Sequence, residues 1–96
     1  MKTLENYLDE FKSRMNIESD YELAKLLGVS RQQISGIRSG RIAIGRTKCI
    51  RIASGLKIDP LEIIATIEAA KEKNPDVRAL WVRLAKEKVR HLKKAG

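Results

Sequence analysis

The sequence predicts an all-α protein of six helices, and three observations carry that prediction. Apolar residues recur at helical spacing along the chain, strand signals are nearly absent, and one segment after another opens on a capping residue. The only β-like stretch, Arg41-Ile42-Ala43-Ile44, is too short to anchor a sheet. The first helix runs from about Leu4 to Arg14, with Thr3 as N-cap and Leu4, Tyr7, Leu8 and Phe11 on one face. The second opens on Ser19-Asp20-Tyr21-Glu22, read as a capping box of Ser19 and Glu22. It buries Leu23, Ala24 and Leu27 and stops at Gly28. A second box, Ser30-Arg31-Gln32-Gln33, starts the third helix, which ends at Gly40. The fourth spans about Arg46 to Leu56. The fifth has Asp59 as N-cap and Pro60 in the first turn, with Glu62 expected to close a third box. The sixth starts at Asn74-Pro75 and reaches about Lys93.

Ninety-six residues make one domain, or one domain with a single appended element. With 43% hydrophobic residues the chain is too apolar for a disordered tail, yet it is too small for a large enzyme cavity. A single cysteine, Cys49, excludes an intrachain disulfide framework and a multi-cysteine zinc site. The single histidine, His91, lies in a basic tail and argues against histidine-centred catalysis. There is no phosphate-binding glycine loop, no Ser/His/Asp set and no cluster of metal ligands, and the carboxylates sit mostly at helix starts, where capping explains them. The expectation is a non-enzyme with no cofactor and no metal. Glu5, Asp9 and Glu10 without an apolar run behind them do not read as a signal peptide. The longest apolar stretch, around Ile63 to Ile67, is far too short to cross a bilayer. A small, reduced, soluble, basic protein is expected.

The formal net charge of +8 is unevenly distributed. Residues 1–19 are net −1, residues 20–58 net +6, residues 59–74 net −2 and residues 75–96 net +5. Two basic blocks with an acidic one between them suggest a surface for a polyanion and a separate basic tail, although basic residues also serve as solvated faces. The first basic block coincides with two short capped helices joined by Gly28-Val29-Ser30, a helix-turn-helix over residues 19–40. Ala24 is small where the third helix crosses the second, and Val29, Ile34 and Ile37 fasten the third helix to the bundle.

Here the chain resembles the lambda-repressor/Cro-like, XRE-type helix-turn-helix family. The matching residues are Leu23-Ala24, Leu27-Gly28-Val29-Ser30, Ile34, Ile37 and Ser39-Gly40, then Ile52-Ala53, Leu56, Ile58 and Asp59-Pro60, so that the resemblance covers about residues 3–66. It implies a five-helix DNA-binding bundle over residues 1–70, with residues 71–96 as an additional basic amphipathic helix. It further implies a small phage or prophage repressor. An ordinary αα-hairpin explains the apolar positions but not the basic residues that follow them.

At about 100° per residue, Ile34 and Ile37 facing the core put Gln32, Ser35, Gly36 and Ser39 on the opposite face, with Arg31 and Arg38 flanking on one side and Gln33 on the other. The resemblance makes this the recognition helix in the major groove. Arg31, Gln32 and Ser35 become candidate base readers, and Gly36 the place where DNA or a thymine methyl approaches closely. A phosphate contact is the other reading of Arg31, and a solvated surface residue that of Gln32. Candidate phosphate contacts are Tyr21, Gln33, Arg38, Ser39, Arg41, Arg46, Thr47 and Lys48, with the helix opening at Gly45-Arg46-Thr47 favouring an anion. Arg51 is the weakest basic candidate, because it could lie on the far side of its helix. Two departures stand out: Asp20 occupies a position where the family often has a phosphate-binding glutamine, and Cys49 stands where an apolar core residue is usual. Cys49 reads as a small buried hydrophobe, the other reading being a redox-sensing thiol.

The sixth helix carries Val77, Leu80, Trp81, Leu84, Ala85 and Leu92 on an apolar stripe, with Arg83, Lys86, Arg90 and Lys94 opposite. It either packs on the bundle or pairs with a second copy through Val77, Leu80, Trp81 and Leu84. An anionic membrane surface is the third and weakest reading. The expected function is a sequence-specific double-stranded-DNA-binding transcriptional regulator, a repressor acting as a homodimer on a pseudo-palindromic operator. The alternatives are an antitoxin-type autoregulator with a protein partner, or an interaction adaptor that does not bind DNA.

Overall fold

Local hydrogen bonding sets where each helix starts. In a computed structural model, which describes residues 1–95 and the side chains through Val89, six helices follow one another: α1 (Leu4–Arg14), α2 (Asp20–Leu27), α3 (Arg31–Ser39), α4 (Arg46–Leu56), α5 (Pro60–Lys71) and α6 (Pro75–Ala95). There is no strand among the described residues. Thr3 caps α1 and Asn6 answers with its own side chain, closing a box. Ser30 and Gln33 close the box that opens α3, at 3.0 and 2.8 Å.

The other two boxes form by half. Ser19 Oγ accepts the Glu22 amide, but Glu22 takes the Ser19 hydroxyl at 3.3 Å and not the Ser19 amide. Asp59 accepts the Leu61 amide at 2.8 Å, while Glu62 turns inward, is 4% exposed, and accepts the Tyr7 hydroxyl. The expected role of Glu62 as a capping partner is therefore corrected. A buried phenol within reach outcompetes an exposed amide for the carboxyl, because the two polar groups satisfy each other out of water. Gly28 and Gly40 end α2 and α3 at φ 74° and 82°, in the left-handed region, where the sequence expected both helices to stop. At the end of α4 the left-handed residue is Lys57 (φ 59°), a stop that no glycine announces.

The core joins Tyr7, Leu8 and Phe11 of α1, Leu23, Ala24 and Leu27 of α2, Ile34 and Ile37 of α3, four residues of α4 (Cys49, Ile52, Ala53, Leu56) and Ile63 of α5. Cys49 is 2% exposed and burial pushes its thiol up, as befits a small core hydrophobe. α1 packs on α4 and α5, α2 on α3, and α6 folds back along α5 after the short turn 72–74, burying Ala85. Asn74 caps α6 by accepting the Asp76 and Val77 amides.

Gly55 of α4 lies against Phe11 of α1 and Met15 at its end. A Cβ there would stand 2.6 Å from Met15 Cε and 3.0 Å from Phe11 Cδ1, and Phe11 is fully packed. Gly55→Ala gains about 1 kcal/mol of helix propensity but overpacks an immobile ring, which costs about 1–3 kcal/mol. The net expectation is a lowered melting temperature, read by thermal unfolding.

Candidate nucleic-acid interface

The capped start of α3 determines which side chains leave the surface. With Ile34 and Ile37 buried, Arg31, Gln32, Gln33, Ser35 and Ser39 are exposed, so behind Arg31 an outward row of uncharged polar groups begins two residues after the cap. Gln33 uses its Oε1 on the Ser30 amide, which ties this side chain to the cap. Ser39 Oγ donates to the Gly36 carbonyl at 3.1 Å and accepts Arg41 Nε at 3.2 Å, holding that arginine beside the end of α3.

Two residues expected on this surface are not on it. Gly36 is buried. The chain after α3 turns back so that the Arg41 and Ile42 amides both reach the Gly36 carbonyl, at 2.9 and 3.1 Å. The Ile42 side chain then fills the space over the glycine: a Cβ at position 36 would lie 2.7 Å from Ile42 Cγ1. The absent side chain makes room for the protein's own loop, so Gly36 is not a surface that DNA approaches. Arg38 is only 17% exposed and its guanidinium is surrounded by carboxylates. Nε bonds Asp20 Oδ2 at 2.9 Å, Nη2 bonds Asp9 and Asp20 Oδ1 at 3.0 and 3.1 Å, and Nη1 reaches Glu5 at 3.3 Å. Such a fork is a better partner for the arginine than a solvated phosphate, and Arg38 leaves the phosphate-binding set. Asp20 is also paired with Lys12 at 3.0 Å, and the hydrogen bond from Arg38 is the main cause holding its carboxyl below the usual range. Burial alone would disfavour the Arg38 charge, but its bonds to Asp20 and Asp9 reverse that. Asp20 therefore ties α2 to Arg38 of α3 and Lys12 of α1, in keeping with the departure noted at this position.

Beyond the turn, Arg41, Arg46 and Thr47 are exposed and Lys48 half-buried. Gly45 caps α4 without a side chain, and the Arg46 and Thr47 amides at the start of the helix, beside the cations of Arg46 and Lys48, make an arrangement suited to an anion. Tyr21 is exposed at the start of α2 with Lys25 Nζ 5.4 Å from its ring centroid. Arg51 points elsewhere, donating to the Leu26 carbonyl at the end of α2 at 2.9 Å. On α6, Val77 and Leu80 are 37% and 56% exposed and Trp81 and Leu84 half-buried, so part of the apolar stripe is free of the bundle. The side chains of Arg90, His91, Leu92 and Lys94 lie outside the described residues. No helix among the described residues is long and apolar enough to cross a membrane.

Glu5, Asp9 and Ile42, which clamp and cover the last turn of α3, carried no signal in the sequence. Their partners lie on other elements, and only the packing of α1 and the returning loop brings them to α3.

Residues 19–63 match the helix-turn-helix family model. Over 78 residues the chain is 33% identical to a protein of Pseudoalteromonas phage PM2 described as uncharacterized protein Gp-c, spanning 77% of this chain and 85% of the phage protein. The chain belongs to the helix-turn-helix family. No solved structure gives a significant match. Membership supports a DNA-binding regulator, and the matched segment of this helix-turn-helix protein contains the exposed row of α3 and the basic start of α4.

Proposed function

We propose that this protein is a sequence-specific transcriptional regulator of double-stranded DNA, a repressor that occludes polymerase at a pseudo-palindromic operator. Each copy lays α3 in the major groove. Gln32 and Ser35 read base edges, with Arg31 at the rim of the same row, while Tyr21, Gln33, Ser39, Arg41, Arg46, Thr47 and Lys48 hold phosphates. One observation carries the reading: the outward row of α3 from Gln32 on is uncharged and polar, and the loop and helix that follow carry Arg41, Arg46 and Lys48, which form no ion pair among the described residues. Base edges are read by such groups, whereas phosphates are met by cations and helix N-termini. The cations supply position and a steep salt dependence, and the row supplies sequence.

The homodimer is part of the same proposal. Leu80 and Val77 stand exposed on α6, and a second copy covering them would set two recognition helices about 34–36 Å apart on the operator. The same stripe would serve the protein partner of an antitoxin-type autoregulator. The phage protein similar to this chain favours a phage or prophage setting, and with it the bacterial cytoplasm.

Footprinting of the DNA upstream of the protein's own gene, together with its mass in solution, tests the reading. The expected result is a protected pair of inverted half-sites and the mass of a dimer. Absence of any mobility shift on duplex DNA at low salt refutes the DNA reading and leaves the adaptor.

A further inference from the structure

Arg38 joins three helices. It projects from the last turn of α3, and its guanidinium holds Glu5 and Asp9 of α1 and Asp20 of α2, with contacts of 2.9 to 3.3 Å. Lys12 of α1 closes the cluster on Asp20 from the other side. On α3, Arg31, Ser35 and Arg38 follow one another at i, i+4 and i+7 and so share one ridge. That ridge lines one surface hollow together with Glu5, Asp20 and Ser39. A fork anchored at one end of that ridge can resist rotation of α3 about its own axis against α1 and α2, alongside the buried Ile34 and Ile37. A binding constellation must be held within about 10–20° to be productive.

We infer that Arg38 is a positioning residue for base readout, acting through the rotation of α3 and touching no DNA. The inference rests on the DNA-binding reading proposed above and deepens it: the selectivity of Gln32 and Ser35 depends on a clamp whose other jaw is the acidic face of α1. Geometry favours this role over a phosphate contact. The side chain is largely buried, and each guanidinium nitrogen already has a carboxylate partner. The fork is what matters. A lysine keeps the charge but cannot bond Asp20 and Asp9 with planar, fixed donors.

The test compares wild type and Arg38→Lys on two duplexes: one selected by the wild-type protein from a randomised pool, and one of scrambled sequence. Positioning predicts that affinity for the scrambled duplex and its salt slope stay unchanged while the ratio of the two affinities falls roughly tenfold, about what one lost base contact is worth. A phosphate contact predicts no loss of that ratio, since lysine also binds phosphate. A ratio equal to that of the wild type overturns the inference, even if the melting temperature drops. Should Arg38→Lys fail to fold, Asp9→Asn leaves the cation in place and is expected to lower the same ratio, and an unchanged ratio there refutes the clamp. A wild-type protein that selects no sequence at all refutes the DNA reading, and Arg38's role with it; it is told apart because it shows on the unmodified chain.

Discussion

Gln32→Ala is expected to weaken binding to the selected operator by about 1–3 kcal/mol per half-site, the worth of one bidentate base contact, and to relax selection at a single base pair. Binding to unrelated duplexes and the slope of log affinity against log salt are expected to stay as they are, because no phosphate contact is removed. The side chain is exposed on the second residue of a capped helix, so truncation leaves no cavity and stability should move by less than about 0.5 kcal/mol. By contrast, Arg46→Ala or Lys48→Ala should lower affinity for all sequences alike and reduce the salt slope by about one. Mobility shifts at several salt concentrations on matched and scrambled duplexes separate the two patterns. A uniform loss in Gln32→Ala would remove that residue from base reading.

The second large effect is on stability. Tyr7 and Glu62 are 2% and 4% exposed, and the phenol donates to the carboxyl across the α1–α5 contact. Tyr7→Phe keeps the ring but leaves the Glu62 carboxyl buried without that donor, an expected loss of about 1–3 kcal/mol. Combining it with Glu62→Met, which removes both polar groups at similar volume, should recover much of the loss. The pH dependence has a defined sign. Burial first, then the Glu62 hydrogen bond, pushes the Tyr7 phenol well above its ordinary value, so the folded state retains a proton that the unfolded state releases at about pH 10. The stabilisation is fully present below that pH and fades as pH rises through and above it, and the difference between wild type and Tyr7→Phe should shrink in this window. Urea unfolding from neutral pH to about pH 11 measures it, and a constant difference would show that the phenol is not held protonated by the fold.

Much of the fold was legible because its signals are local. A cap, a glycine in the left-handed region and an apolar repeat act within one or two turns, which is why α1 to α3 and the start of α6 fall where Thr3, Ser30, Gly28, Gly40 and Asn74-Pro75 put them. The exposed row of α3 was legible for the same reason, since two buried isoleucines at i and i+3 determine what faces away. What failed was each inference that needed a second element. Helical geometry placed Gly36 and Arg38 outward, and it had no means of foreseeing the Ile42 loop that covers the one or the α1 carboxylates that capture the other. Glu62 reads as a cap in one dimension and is a buried partner of Tyr7 in three.

The sequence by itself determined a six-helix chain, a helix-turn-helix at residues 19–40 and a basic middle, because hydrophobic period, caps and net charge are properties of neighbouring residues. Tertiary structure alone decided which of the polar residues near α3 remain free to meet a ligand. Charge pairing and burial depend on distance in space, and Arg38 finds its partners Glu5 and Asp9 across the fold rather than along the chain.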